Sequence, residues 1–141
     1  MHMHFEVEGG NFSRAGYASS EIKKVLKKLN VNAQTIKRIV VSSYEAEVNI
    51  VAHARKGKIS ATIDNDKIVL QCNDEGPGIP DIEKAMQQGF STASSEVREM
   101  GFGAGMGLPN IKNNADKLEI NSEVGKGTNV KITIALSSET N

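Results

Sequence analysis

Charge of one sign, paired cysteines and any long apolar run are all missing from this chain of 141 residues. Lysine plus arginine and aspartate plus glutamate each number 17. No basic field therefore draws the protein to nucleic acid or to an anionic membrane, and protein or small-molecule partners are expected. Cys72 stands alone, which excludes an internal disulfide or a cysteine-rich metal site and fits a reducing cytosol. Its place in the apolar run Lys67-Ile-Val-Leu-Gln-Cys-Asn73 marks a small buried side chain rather than a nucleophile. No stretch nears the roughly 20 apolar residues of a membrane span, and Met-His-Met-His-Phe lacks a basic region followed by an apolar one. A cytoplasmic chain without a membrane partner is expected. His2 and His4 alternate with Met1, Met3 and Phe5 as a chain end leading into a strand does, not as a metal site.

What the chain does have is 38% hydrophobic content, enough for one core, and one domain over residues 1–141 is expected. Phe5 to Glu8 alternates like a half-buried strand. After Gly9-Gly-Asn11, a helix capped by Ser13 and running to about Leu29 is predicted, with Ala18, Ile22, Val25, Leu26 and Leu29 on one stripe and lysines opposite. Asn32 can cap a second helix through about Ala54 that is apolar on most sides. Strands are predicted at Lys58 to Ile63 and Lys67 to Cys72 around the turn Asp64-Asn-Asp66, and at Leu118 to Ser122 and Asn129 to Leu136 around Val124-Gly-Lys-Gly127. Between Asn73 and Gly107 lies a segment too long for a connector, helical in look only from Asp81 to Gln88; such length points to a functional lid.

The second helix carries two polar residues where apolar ones would pack. Glu45, Asn49 and His53 follow one another at i, i+4, drifting only about 40° per step, so they share one side of the helix. Glu47 points elsewhere. A neutral amide such as Asn49 suits a Mg²⁺ that keeps waters and phosphate oxygens, and Glu45 one turn earlier can accept a proton from a nucleophile. Taken alone, the pair also reads as polar residues of a helix edge, and His53 as a packing residue. In Asp74-Glu-Gly-Pro-Gly-Ile-Pro80, Asp74 can accept from the amino group of adenine, while Gly76 and Gly78 let a flat ring approach or simply form a β-turn. In Gly101-Phe-Gly-Ala-Gly-Met-Gly-Leu-Pro-Asn-Ile-Lys112, free amides at a helix start can donate to phosphate. The run fits neither the P-loop nor the dinucleotide fingerprint, so a Rossmann reading is poor.

In this order, Glu45-x-x-x-Asn49, Asp74-x-Gly-x-Gly78, Gly103-x-Gly-Met-Gly-Leu108 and Gly125-Lys-Gly-Thr128 resemble the GHKL (Bergerat-fold, histidine-kinase-like) ATPase family over residues from about 13 to 136. The resemblance implies an α/β (α+β) two-layer sandwich: a mixed, mostly antiparallel sheet covered on one face by about three helices, with an ATP lid at about 79–105. It implies ATP and Mg²⁺ as cofactors, Asn49 as metal ligand and Asp74 as adenine reader. Gly76, Gly78 and Ile79 would wall the base pocket, with His53 nearby. Gly103, Gly105, Met106, Gly107 and Leu108 would form the phosphate-side lid end, and Thr128 would supply the hydroxyl that supports the adenine-reading carboxylate. Within the family, Asn49-x-x-x-His53 and Gly105-Met-Gly-Leu-Pro109 most resemble the small anti-sigma regulatory serine/threonine kinases of the RsbT and SpoIIAB type. By that resemblance Glu45 is the catalytic base, and the protein partner is a STAS-type anti-anti-sigma factor, a sigma factor, or both. A homodimer is left open. The alternative is a nucleotide-gated binding protein that sequesters a sigma factor or other regulator with little turnover. A detached histidine-kinase catalytic domain and a gyrase or MutL fragment fit less well.

Overall fold

The computed structural model describes residues 1–86 and 107–136. Strand β1 (His2–Glu8) is followed by a 3-10 turn (Phe12–Arg14), α1 (Tyr17–Lys28) and α2 (Ala33–His53). Then come β2 (Lys56–Ile63), β3 (Lys67–Glu75), the short α3 (Ile82–Ala85), α4 (Gly107–Asn114), β4 (Lys117–Glu123) and β5 (Gly127–Ala135). The strands form a five-stranded sheet in the order β1-β2-β3-β5-β4. The sheet, expected as mixed and mostly antiparallel, is antiparallel at every described pairing. The cause is the connectivity: β2 with β3 and β4 with β5 are hairpins, and the hairpin returns β5 rather than β4 alongside β3.

Alternation along the strands builds one apolar face. Ile59, Ala61 and Ile63 of β2, Ile68, Leu70 and Cys72 of β3, and Val130, Ile132 and Ile134 of β5 are buried in one cluster with Ile22 and Leu26 of α1, Ile39 and Ile50 of α2, and Leu108 and Ile111 of α4. Each such Ile or Leu contributes roughly 1.5–3 kcal/mol on burial, so this layer holds the helices to the sheet. The opposite set of strand positions, such as Lys58, Asn73 and Lys117, stays exposed. The result is the two-layer sandwich.

Helix α1 starts later than the pattern predicts. Gly16 takes φ 99, a left-handed bend that serine resists, so the helix opens at Tyr17. Ser13 does not cap it; its hydroxyl lies in the 3-10 turn and donates to Asn11 Oδ1 at 2.8 Å. The cap comes instead from α2: Glu47, 2% exposed, accepts from the Ala18 and Ser19 amides at 3.2 and 3.4 Å. Burial pushes the Glu47 carboxyl above its ordinary range, and those amides pull it partly back. Helix α2 begins as expected, Asn32 Oδ1 accepting from the Gln34 amide at 2.8 Å. Cys72 is buried, and its thiol is pushed up to about 12. Among the described residues no helix is long and apolar enough to cross a membrane.

Candidate functional site

Glu45 and Asn49 lie on the side of α2 that meets α4. Both are half-buried. The first residue of α4, Gly107, sits so close that a Cβ there would fall 3.1 Å from Asn49 Oδ1 and 3.4 Å from Nδ2. One turn along, Asn110 Nδ2 donates to Glu45 Oε2 at 2.8 Å. The far end of α4 is tied down by Arg38, whose Nε donates to the Asn114 carbonyl at 2.9 Å and whose terminal NH2 reaches Asp116 Oδ1 at 3.0 Å. Arg38, Glu45 and Asn49 form one stripe of α2, and Gly107, Asn110 and Asn114 form the facing stripe of α4. His53 continues the α2 stripe, and burial lowers its pKa, so it is neutral at physiological pH.

The second cluster is built on the end of β3. Asp74 is half-buried, its Oδ1 accepting from the Thr128 amide at 3.2 Å. Burial raises the Asp74 pKa above its usual value, against the pull of that amide. The threonine hydroxyl lies 2.8 Å from Ser122 Oγ, its partner in the β4–β5 register. The glycines after Asp74 are used for packing. Gly76 rests on Ala54, with a Cβ position 3.1 Å from its Cα, and its amide donates to the Lys126 carbonyl at 3.2 Å. Gly78 has φ +78, and a Cβ there would lie 2.5 Å from the Glu123 carbonyl oxygen. The Ile79 amide donates to Ser122 Oγ at 2.7 Å, and its side chain packs on the core. The segment expected to start a lid is thus fastened to the β4–β5 hairpin through Ile79.

The two clusters meet at Ala54, the residue after α2. It lies under Gly76, and the next amide, Arg55, donates to the Glu75 carbonyl at 2.9 Å. Leu108, expected at the phosphate side, is buried in the core. Gly103, Gly105 and Met106 lie outside the described residues. Among the described residues no three histidine, cysteine or acidic side chains gather around a metal position. A cation beside Asn49 would therefore draw its other oxygens from water and phosphate, the donor set that Mg²⁺ prefers. A cleft of about 680 Å³ between β1–β3 and the start of α1 is lined by Arg14, Tyr17, Glu47 and Asp74, but not by Asn49, Gly76 or Thr128.

Sequence reasoning missed Asn110 and Ser122. Ser122 had a signal, a Ser opposite a Thr across the expected glycine hairpin. Asn110 had only its place three residues into a helix start.

Residues 13–134 match the family described as Histidine kinase-like ATPase domain. The chain is 35% identical over 128 residues to an anti-sigma F factor of Thermoanaerobacter sp. (strain X514), covering 87% of this chain and 86% of that one. It is 34% identical over 113 residues to the serine/threonine-protein kinase RsbT of Bacillus subtilis (strain 168), covering 77% and 79%. An anti-sigma F factor of Geobacillus stearothermophilus matches at 31% over 136 residues, with 92% and 88% covered. With the family matched across nearly the whole sandwich, from the 3-10 turn to the last strand, the chain belongs to the histidine kinase-like ATPases.

Proposed function

We propose that this chain is an ATP-dependent protein serine/threonine kinase of a partner-switching module, acting in the cytoplasm on a STAS-type antagonist protein. The observation that carries the reading is the placement of Glu45 and Asn49 one turn apart on α2, both facing the start of α4. The relative named serine/threonine-protein kinase RsbT supports it. In this reading Asp74 accepts from the amino group of adenine and would repel the carbonyl of guanine. Asn49 Oδ1 is the chain's ligand toward Mg²⁺, which supplies neutralisation of phosphate charge. The γ-phosphoryl group passes from the ADP oxygen to the serine or threonine oxygen. Glu45 accepts the proton that hydroxyl gives up. Gly103, Gly105, Met106 and Gly107 complete the phosphate side.

The test is incubation with γ-labelled Mg·ATP and a STAS-type antagonist, drawn first from the reading frames beside this one. A stable phosphoserine or phosphothreonine on the antagonist is expected. Glu45→Gln should lower transfer by about 10²-fold or more while ADP still binds; transfer kept in that variant means another group is the base. Asn49→Ala should weaken Mg·nucleotide binding instead. The relatives named anti-sigma F factor favour a second reading, capture of a sigma factor under nucleotide control. Nucleotide-dependent co-elution with a sigma factor, without label on any protein, is its signature.

A further inference from the structure

We propose that Asn110 is a positioning residue that orients the Glu45 carboxylate for proton transfer. The inference rests on the kinase reading, in which Glu45 is the base. Asn110 Nδ2 stands 2.8 Å from Glu45 Oε2. Only the NH2 end of an asparagine can face a carboxylate, so the direction of this bond follows from chemistry. With Oε2 engaged, Oε1 is the oxygen left for an incoming hydroxyl. A glutamate on a helix surface otherwise samples several rotamers, and a base out of line by about 1 Å forfeits much of its rate.

The donor is itself fixed. Pro109 and Ile111 on either side of Asn110 are buried. Asn114 Nδ2 donates to the Asn110 carbonyl at 2.8 Å, and Arg38 Nε holds the Asn114 carbonyl at 2.9 Å. Gly107, packed on Asn49, belongs to the same turn of α4 as Asn110. Base and metal-side amide therefore take their positions from one helix. Glu47, two residues further along α2, shows the contrast: its oxygens are taken by the α1 amides inside the fold, and it can serve structure alone.

The experiment measures phosphotransfer from γ-labelled Mg·ATP to the STAS-type antagonist, with ATP hydrolysis by water as a second acceptor. Asn110→Ala should lower kcat about tenfold, with KM for ATP and ADP affinity within about twofold. Asn110→Asp places two carboxylates where the hydrogen bond was. The like charges repel, the Glu45 carboxylate turns away, and kcat should fall at least as far as in Asn110→Ala. Equal kcat in wild type and Asn110→Ala overturns the inference, as does a loss of nucleotide affinity that matches the loss of rate. A wild-type chain that transfers no label overturns the kinase reading instead. A nitrogen-15 spectrum judges the contact without turnover: the Asn110 side-chain NH2 resonances should shift in Glu45→Ala, and resonances that stay in place overturn the inference on their own.

Discussion

Where α2 meets α4, side chains hold the site together; at the end of β3, the main chain does. Glu45 is placed by the amide of Asn110, and α4 by the guanidinium of Arg38. Gly76 and Ile79 are instead fastened to the β4–β5 hairpin by their own main-chain amides, the latter through Ser122 Oγ, and the Asp74 carboxylate is held by the main-chain amide of Thr128. The proposed adenine side is thus tied directly to the strand ladder. The proposed catalytic side has no strand pairing behind it; α4 is held by side-chain hydrogen bonds and by the burial of Leu108, Pro109 and Ile111. Two glycines put this contrast to the test. In Gly78→Ala, a residue held at φ +78 would gain a Cβ 2.5 Å from the Glu123 carbonyl, a backbone atom that cannot step aside. The expected loss is about 3 kcal/mol, or roughly a 10 °C fall in Tm by calorimetry. In Gly107→Ala the new Cβ meets the end of the Asn49 side chain at 3.1 Å, which can yield. That variant should lose less than about 1 kcal/mol of stability yet bind Mg·nucleotide more weakly. Equal losses of Tm in the two variants would erase the distinction.

The next effect in size concerns Asp74. Asp74→Asn keeps the shape and removes the charge, and nucleotide affinity should fall about 10- to 100-fold, or roughly 1.5–3 kcal/mol, as for a hydrogen bond to a charged group. The pH dependence carries a sign. In the proposed reading the ionised carboxylate is the form that would accept from adenine, and burial raises its pKa above the ordinary 3.8. Affinity in the wild type should therefore be full at neutral pH and decline as pH drops, starting above the range of an exposed aspartate. In Asp74→Asn that decline should vanish. Titration calorimetry with Mg·ADP across mildly acidic pH checks both, and a decline that survives the substitution places the titrating group elsewhere.

The strands and the start of α2 were legible because alternation and the Asn32 cap are local patterns, written within a few residues. What escaped depends on residues far apart in the chain. Glu47 caps a helix that starts 30 residues before it, and no spacing inside α2 announces that. Ser13 looked like the cap because serine is a good one, yet Gly16, three residues on, bends the chain first. Strand order, with β5 rather than β4 beside β3, is likewise something periodicity does not encode. The side of α2 that carries Glu45, Asn49 and His53 was readable from i, i+4 spacing. Asn110 was not, since its bond to Glu45 spans 65 residues. Thr128 was singled out for its hydroxyl; its amide, a main-chain donor that no side-chain pattern marks, also meets Asp74, with the hydroxyl beside Ser122.

The smallest expected effect is the most discriminating. Arg38 and Asp116 are 36% and 46% exposed, so their ion pair is screened by solvent and salt and adds only about 0.5–1 kcal/mol to stability. Arg38→Ala should lower Tm by no more than about 3 °C, given that each kcal/mol moves a chain of this size by only a few degrees. Its larger consequence lies along the seam. The Asn114 carbonyl loses its donor, the last turn of α4 loosens, and Asn114 supports the Asn110 carbonyl less firmly. Phosphotransfer should fall about two- to fivefold, with nucleotide affinity unchanged, because the hydrogen bonds of Arg38 run to Asn114 and Asp116, at the far end of α4. Arg38→Lys restores the charge toward Asp116 but not the fork that also reaches Asn114, so it should recover the stability and not the rate. If lysine recovers both, the ion pair alone sets the helix, and the seam has no polar chain running from Arg38 to the base. If Arg38→Ala weakens nucleotide binding as much as it slows transfer, the two halves of the site are coupled through the core rather than held separately.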